Sequence, residues 1–338
     1  MKVYAGIDLH SSNNYIGIMD QDYKRLFGRR QPNDLNNVLK VLEPFKADLE
    51  GVIVESTYNW YWLVDGLQEH AYTVHLANPS AIKQYEGIKH TDDRWDSFWL
   101  AHMKHLNILP EGYIYPKEQR TVRDLLRRRL FFVRHRTANI LSLQSTITRN
   151  LGIKISNNEI KKLNMDDAYK LFDSSNLVFM AQNNISAIKH LGKIIKGIEK
   201  QVKSQVQLRK EFVMLTTIPG IGTILGLTIM LEVGDIDRFS KVGNYSSYCR
   251  CVSSKRLSNG KKKGENNKKN GNKYLAWAYV EAAHFAKRYI PKAQKFYQQK
   301  MAKANGAVAT KALGNKLARA SYFIMRDQVP FDEDMLFK

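Results

Sequence analysis

Cysteine is scarce in this chain of 338 residues, which contains only Cys249 and Cys251. Two cysteines separated by one residue can build neither a disulfide framework nor a four-ligand zinc site, and a reducing cytoplasm fits them. Long apolar runs are also missing, since no stretch approaches the roughly 18 residues that cross a bilayer. The N-terminus enters a strand directly and lacks a signal-peptide pattern. We therefore predict a folded, soluble, cytoplasmic protein without a membrane partner.

Acidic residues are few relative to basic ones. The chain has 32 Asp plus Glu against 53 Lys plus Arg, which gives a formal charge of +21. Such an excess indicates a polyanionic partner. Nucleic acid is the first candidate, and an anionic membrane surface is a weaker second one because no anchor is seen. The hydrophobic share of 43% is enough for the cores of two or three domains.

The first hundred residues alternate strand and helix patterns. A helix capped by Asn33 precedes the fourth predicted strand, and a helix at Tyr58–Leu67 follows it. The predicted strands are Tyr4–Asp8, Tyr15–Met19, Leu26–Arg30, Val52–Glu55 and Tyr72–Leu76. Three meander strands followed by α/β units is the order of the ribonuclease H-like fold, so we predict an α/β domain of this class over residues 1–110.

Four carboxylates in this part form a pattern that can hold divalent metal ions. Asp8 and Glu55 interrupt or end apolar strands, where a buried acid without a partner would be costly. Asp93 and Asp96 are three residues apart, which places both on one face of a helix. Oxygen ligands of this kind suit Mg²⁺ or Mn²⁺. His10 could also touch this site, although a histidine in a loop is commoner.

Residues 117–213 are predicted to be helical, and their first part is strongly basic. Eight Lys or Arg occur among the twenty residues from Lys117 to Arg136, and we predict that Arg127, Arg128 and Arg129 contact nucleic acid. Further along, apolar residues follow the alternating 3,4 spacing of a coiled-coil seam. They are Ile188, Leu191, Ile195, Ile198 and Val202. The seam can pair within the chain or between two chains, and the sequence leaves both open.

Residues 214–330 are predicted to form a mainly α-helical domain. Gly220 and Gly222 precede a helix from Thr223, as in helix-hairpin-helix segments that offer backbone N–H groups to phosphate. A tight turn into an amphipathic helix is the alternative. A basic segment follows, predicted as a loop that lies against phosphates. Its basic residues are Lys255, Arg256, Lys261, Lys262, Lys263, Lys268, Lys269 and Lys273.

Ser258 lies inside the basic segment. A serine there is usually a turn residue, and no histidine or acid stands at a spacing that suggests a hydrolase triad. If Ser258 is a nucleophile, a metal ion or basic neighbours must activate it.

Two sets of motifs, in the same order along the chain, resemble one known family. Gly6-Ile7-Asp8-Leu9-His10, Val54-Glu55-Ser56-Thr57 and Asp93-Arg94-Trp95-Asp96-Ser97 resemble the DEDD-type insertion-sequence transposases, whose N-terminal domain is RuvC-like. Ile218-Pro219-Gly220-Ile221-Gly222, Ser258-Asn259-Gly260 and Asn270-Gly271-Asn272-Lys273 are similar to the C-terminal transposase domain of that family. The resemblance covers roughly residues 3–289.

The resemblance implies a function for particular residues. Asp8, Glu55, Asp93 and Asp96 match the metal-binding tetrad of the family, and Ser258 matches the serine that links covalently to DNA. Asp92, one helical turn from Asp96, is the second choice for the third acid. Members are recombinases that cut and rejoin donor and target DNA under the guidance of a noncoding bridge RNA. They assemble as dimers and tetramers, in which one subunit's serine domain completes another's RuvC-like site.

Two other functions remain possible from the residues. A RuvC-like junction endonuclease would use water as the nucleophile, with the C-terminal region serving only to bind DNA. A non-catalytic nucleic-acid-binding protein would keep the acids as structural residues.

Overall fold

The structure is a computed structural model that describes residues 1–82, 92–205, 209–252, 256–264 and 270–337. The chain forms two compact units, Met1–Lys117 and Glu118–Lys338. The finer division into 1–110, 117–213 and 214–330 stays a prediction. Among the described residues, no helix combines the length and the apolar character needed to cross a membrane.

The first unit is built on a mixed five-stranded sheet in the order β3-β2-β1-β4-β5. Its strands are β1 (Val3–Leu9), β2 (Asn13–Asp20), β3 (Arg25–Pro32), β4 (Leu49–Glu55) and β5 (Val74–Ala77). The first three form an antiparallel meander, whereas β4 pairs in parallel with both β1 and β5. This arrangement confirms the predicted α/β, ribonuclease H-like fold.

Helices cover both faces of the sheet. They are α1 (Leu35–Leu42), α2 (Tyr61–Glu69) and α3 (Asp93–His105). The alternation of side chains along β1 sends Ala5 and Ile7 into the core with α1 and α2, and Tyr4 into a cluster with α3. Asp8 shares the parity of Tyr4 and therefore lies on the α3 face.

The cap predicted at Asn33 is wrong by one residue. The side chain of Asp34 accepts the hydrogen bond from Asn37 N at the start of α1. Asn33 instead donates through Nδ2 to the carbonyl of His10, at 3.0 Å. Both residue types make good caps, so sequence alone did not distinguish the neighbours.

A row of glycines lets α3 lie directly on the sheet. Gly6, Gly17 and Gly28 are cross-strand neighbours on β1, β2 and β3. A Cβ atom at Gly6 would stand 1.9 Å from the carbonyl oxygen of Ser97, and at Gly28 it would meet the Phe98 ring at 3.1 Å. The close approach brings the first turn of α3 to the β1 acid.

The second unit is mainly helical, as predicted. Its elements are α4 (Lys117–Leu151), α5 (Asn157–Lys162), α6 (Asp167–Leu171), α7 (Ser175–Gln205), α8 (Lys210–Leu215), α9 (Thr223–Val233), α10 (Val242–Tyr248), β6 (Arg256–Ser258), β7 (Lys261–Gly264), α11 (Lys273–Tyr289), α12 (Pro291–Lys303), α13 (Gly306–Asp327) and α14 (Glu333–Leu336). The main core joins α8, α9, α11 and α13.

The two long helices α4 and α7 pack against each other within the chain. Leu143 shares a core with Ala181 near one end of the pair, and Leu126 shares one with Val202 near the other. Residues later in α4 therefore pack against residues earlier in α7, so the two helices are antiparallel. The apolar seam on α7 therefore packs within the chain. Its coiled-coil character stays a prediction.

Helices α8 and α9 are joined by the predicted glycine turn, and α9 confirms the helix predicted from Thr223. All residues from Leu225 to Val233 are buried, so α9 is a core helix and not an amphipathic one. Gly220 has φ of +103°, and a Cβ there would meet the backbone nitrogen of Ala286 at 2.8 Å. Packing against α11 thus explains this glycine, and a contact with phosphate stays a prediction.

Candidate active site

The sheet places two of the predicted acids side by side. Asp8 is near the end of β1 and Glu55 ends β4, and these strands run in parallel with Ile7 in register with Val54. Ile53 belongs to the core on the α3 face, so Glu55, two residues on, points to that face as well. The carboxyl groups of Asp8 and Glu55 are close enough to shift each other's pKa values.

Helix α3 delivers the other two acids in its first turn. Asp92 precedes the helix as its cap and accepts a hydrogen bond from Trp95 N at 2.6 Å. Asp93 and Asp96 follow within the helix. The Asp92 carboxylate is therefore engaged by the helix backbone, whereas Asp93 contacts residues of the sheet.

His10 joins the acids. Its Nε2 lies 3.1 Å from Asp8 Oδ2 and 3.2 Å from Asp93 Oδ1. The ligand atoms of Asp8, His10 and Asp93 all lie within 4.8 Å of one another, close enough to hold one metal ion. Adjacent ligands of an octahedral ion with bonds of about 2.1 Å stand about 3 Å apart, which matches both His10 distances.

Two asparagines fix the loop that carries His10. Asn33 and Asn59 both donate through Nδ2 to the His10 carbonyl, at 3.0 and 2.9 Å. Neither contact is visible in the sequence, because the partners are 23 and 49 residues away. A histidine two residues after a strand acid was the only signal of its role.

Arg30 on β3 neutralises part of the negative charge. Its Nη2 donates to Asp93 Oδ2 at 2.6 Å, and the guanidinium is otherwise largely exposed. Arg30 was not among the predicted site residues, since one of three arginines on an exposed edge strand carries no distinguishing pattern.

The pKa values of Asp8 and Glu55 are both raised above their usual values. Burial is the first cause that raises the pKa of Asp8, and the charge of Asp93 adds to it against the opposing effect of His10. Burial, followed by the charge of Asp8, raises the pKa of Glu55 to about 7, with a further contribution from Asp96. All four predicted acids are thus close enough to act on one another.

The donor set fits a divalent cation. Carboxylates crowded in a buried site disfavour their own ionised forms, and a cation held among them removes that repulsion. Oxygen ligands favour Mg²⁺ or Mn²⁺, and an imidazole is more compatible with Mn²⁺ than with Mg²⁺. Asp8, His10 and Asp93 could hold one ion, with Glu55 and Asp96 beside them.

The predicted basic loop is a hairpin over its described part. Strands β6 and β7 pair with Ser258 in register with Lys261, and Asn259-Gly260 forms the turn with φ of +51° and +70°. Positive φ at both positions is the geometry that Asn-Gly favours in two-residue hairpins. The loop prediction was wrong here because basic composition hid a strong hairpin signal.

The hairpin exposes Ser258 beside cations. Ser258, Lys261 and Lys263 are exposed. Lys255, Lys268 and Lys269 lie outside the described residues, as do the side chains of Arg256 and Lys262. Lys273 is exposed at the start of α11, with its ammonium 5.2 Å from the Tyr274 ring centre.

Two family models match the chain. A model described as a transposase of the DEDD, IS110 type matches residues 5–150, the part that contains all four acids. A model of the transposase IS116/IS110/IS902 family matches residues 213–298, which include Ser258. The chain belongs to the IS110 family of DEDD transposases. No curated protein matches it.

Family membership makes this protein a transposase, an enzyme that cleaves and transfers DNA. The match places Asp8 and Ser258 in separate models, so the two halves of the transposase are recognised independently. It does not assign a role to any single residue.

Two of the arginines predicted to contact nucleic acid are engaged within the transposase. Arg127 forms a two-pronged ion pair with buried Glu232, at 2.6 and 2.7 Å, and its guanidinium lies 4.6 Å from the Tyr274 ring centre. Arg129 pairs with Glu199 at 2.6 Å. Arg128 lies over Phe131. Contacts of these residues with nucleic acid stay predictions, but pairing gives Arg127 and Arg129 a structural role.

The Asn270-Gly271-Asn272-Lys273 motif also has a structural explanation. Asn272 caps α11 by accepting from Tyr274 N and Leu275 N, while its Nδ2 donates to Glu232 at 2.7 Å. Gly271 has φ of +88°, and a Cβ there would meet the Tyr248 carbonyl at 2.5 Å. The motif therefore ties the end of the serine segment to the core.

Proposed function

We propose that this transposase cuts and rejoins DNA through a covalent link between Ser258 and a DNA phosphate. Asp8, Glu55, Asp93 and Asp96 would hold a divalent ion, Mg²⁺ or Mn²⁺, that supplies positive charge to the reacting phosphate. The observation that carries the proposal is the meeting of these four acids at one sheet edge, with the pKa of Glu55 raised to about 7. Perturbed acids of this kind favour a functional site over a structural one.

The covalent step conserves the energy of the phosphodiester bond. The Ser258 oxygen bonds to phosphorus and gives up its proton, the bond from phosphorus to one sugar oxygen breaks, and that sugar leaves as a hydroxyl. Attack by another sugar hydroxyl reverses the step, joins a new DNA end and restores the serine. A bound divalent ion supplies positive charge that stabilises the crowded phosphate oxygens.

The exposed hairpin supports this role for Ser258. A nucleophile that meets a large polyanion must be accessible, and Ser258 is exposed beside Lys261. Lysines in the hairpin supply a positive field for a phosphate. No histidine or carboxylate within residues 256–264 offers a general base, so a bound divalent ion together with these lysines would supply the activation.

The remaining parts of the proposal rest on the family resemblance and on net charge. A noncoding bridge RNA guides the choice of donor and target DNA, and the charge of +21 is compatible with two nucleic-acid partners. The protein acts as a dimer or tetramer in which one subunit's serine hairpin completes another's acid site. It works at the nucleoid of a prokaryotic cytoplasm.

The central test uses the serine. Ser258→Ala removes the nucleophile, so covalent protein–DNA adducts on denaturing gels and recombination are both expected to vanish while DNA binding persists. Ser204→Ala on α7, where the exposed hydroxyl donates to the Gln201 carbonyl, is the matched control. An adduct that survives in Ser258→Ala would remove this residue from its role.

Guidance by RNA has a separate test. Sequencing the RNA that copurifies with the protein from its own locus is expected to return one structured species. Purification with no specific RNA would contradict guided recognition and leave the covalent chemistry untouched.

Hydrolysis is the second candidate function, because the acid cluster lies entirely within the first unit and water could replace the serine there. This RuvC-like nuclease predicts free DNA ends and no protein adduct. A non-catalytic binding protein predicts instead that Asp8→Ala leaves transposition unchanged. The crowding of the four acids favours catalysis over that last alternative.

A further inference from the structure

A pocket of about 300 Å³ opens between α3 and the turn that joins β2 to β3. The α3 wall consists of Trp95, Phe98, Trp99 and His102, and the facing side is lined by Tyr23 in the turn and Arg25 at the start of β3. Phe98 forms the floor because Gly17 and Gly28 leave room for its ring against the sheet. The proposed chemistry at the acids uses none of these side chains.

Three rings form a continuous stack along α3. Trp95 and Trp99 have centroids 5.2 Å apart with an interplanar angle of 15°, and Trp99 and His102 have centroids 5.1 Å apart at 28°. Trp95 stands in the same helical turn as Asp93 and Asp96. The stack therefore begins beside the acid cluster and runs away from it.

One polar donor on a residue of this wall has no hydrogen-bond partner among the described residues. Trp99 Nε1 is buried and makes no hydrogen bond within the described part of the chain. Leaving a buried donor unsatisfied is unfavourable, and few native groups do so.

Arg25 places a cation at the same pocket. Its guanidinium carbon lies 4.4 Å from the Phe98 ring centre, and it has no carboxylate partner among residues 1–82 and 92–205. Arg25 pairs in register with Met19, on the α3 face, whereas Arg29 pairs with Ile16 on the opposite face.

Tyr23 is held exposed in an unfavourable backbone conformation. Its side chain is 50% accessible, its φ is +64°, and its ring lies 5.1 Å from the His102 ring. Asparagine adopts positive φ more readily than tyrosine. A bulky aromatic residue at this turn therefore adds little to stability, and a role in binding would account for it.

We propose that this pocket binds one unpaired base of a nucleic-acid strand. The base packs against the aromatic wall, while Arg25 contacts a neighbouring phosphate. Aromatic platforms with a nearby arginine are the common way to hold single strands without reading their sequence. The identity of the strand is the one part of this proposal that rests on the proposed function. We infer that the strand is DNA opened beside the acids.

Binding is measured on the whole protein in EDTA, so that it does not depend on cleavage. The probes are a short fluorescein-labelled single-stranded DNA, the same DNA with abasic positions, and the RNA of equal sequence. Tyr23→Asn removes a ring and relieves the positive φ, so it is expected to fold normally and to weaken binding between about threefold and thirtyfold. Trp99→Leu is expected to weaken it by about tenfold or more.

Two controls separate base stacking from charge and general hydrophobicity. Arg25→Ala is expected to weaken binding more than Arg29→Ala, which removes the same charge from the opposite face. Phe179→Leu, an exposed aromatic on α7, is expected to have no effect. DNA with abasic positions is expected to bind wild type as weakly as intact DNA binds Trp99→Leu.

Crosslinking identifies the site directly. Iodouracil-substituted strands, irradiated and digested, are expected to label peptides containing Tyr23, Trp95 or Trp99. Labelling only elsewhere, binding unchanged in both Tyr23→Asn and Trp99→Leu, or a change of oligomeric state in Tyr23→Asn would overturn the proposal. Labelling by RNA in preference to DNA would support the base site and reassign the strand. Labelled protein without serine adducts would overturn the proposed function alone.

Discussion

Two regions of this protein bury carboxylates, and the surroundings of these carboxylates are opposite in kind. In the second unit, Glu232 is enclosed by two hydrogen bonds from Arg127 and one from Asn272. Although burial opposes the charged form, the bonds and charge of Glu232 raise the pKa of Arg127. In the first unit, Glu55 lies against Asp8 and near Asp96, and its pKa rises to about 7.

The difference distinguishes a structural carboxylate from a functional one. Glu232 has partners for both oxygens and stabilises its surroundings. In the acid cluster, His10 lies against Asp8 and Asp93 and Arg30 pairs with Asp93, yet burial and neighbouring carboxylates still raise the pKa values of Asp8 and Glu55. Natural proteins retain such crowding where a cation or a reaction needs it.

The largest expected effect on stability comes from breaking the satisfied pair. Arg127→Met leaves Glu232 buried with a single remaining partner, and should lower the free energy of unfolding by about 3–5 kcal/mol. Arg128→Met, one residue along α4, removes an arginine that lies over Phe131 and should cost less than about 1 kcal/mol. Chemical denaturation measures both. Equal losses would show that the ion pair has no special role.

Breaking the crowded cluster should affect activity and not stability. Asp8→Asn removes a site charge, and DNA cleavage in Mg²⁺ should fall by about 10²- to 10³-fold. Because the substitution also removes repulsion from Glu55, the metal-free protein should be as stable as wild type or more so. A variant that loses activity only because it unfolds would contradict the comparison.

Adding a methyl group to the glycine row would displace α3, and this substitution sharpens the comparison. Gly6→Ala places a methyl group against the Ser97 carbonyl and should cost about 1–3 kcal/mol, with loss of cleavage as Asp93 moves from Asp8. Gly243→Ala on α10 is the control, since no atom lies within 4 Å of the added Cβ. It should stabilise by up to about 1 kcal/mol. Full cleavage by Gly6→Ala would refute the positioning role of the row.

A smaller effect is the pH dependence of the metal-free protein. Since the folded pKa of Glu55 lies near 7 and its usual value is 4.5, the folded state holds a proton that the unfolded state releases between these values. The free energy of unfolding should therefore fall as pH rises from about 4.5 to about 7. Glu55→Gln should flatten this dependence in denaturation series made in EDTA. An unchanged slope would mean that Glu55 titrates normally.

Local patterns predicted much of this fold. Alternating apolar residues gave the five strands to within a few residues, and the spacing of Asp93 and Asp96 gave their shared helical turn. The acids could be predicted because buried strand acids are unusual wherever they occur. The Asn259-Gly260 hairpin was present in the sequence and was missed.

Contacts between distant residues could not be predicted. Arg127 lies in a run of three arginines, and nothing local identifies Glu232, 105 residues away, as its partner. The role of Asn33 and Asn59 in holding His10 is equally invisible. Gly6, Gly17 and Gly28 acquire their meaning only once strand register aligns them beneath α3.

Metal titration tests the central claim, that the first-unit cluster is a cation site. Calorimetric titration of the metal-free protein with Mn²⁺ should show binding that is lost in Asp93→Asn and retained in Asp92→Asn. The second substitution changes only the cap of α3, where asparagine caps as well as aspartate. Equal binding by both variants, or no binding by the wild type, would contradict the account.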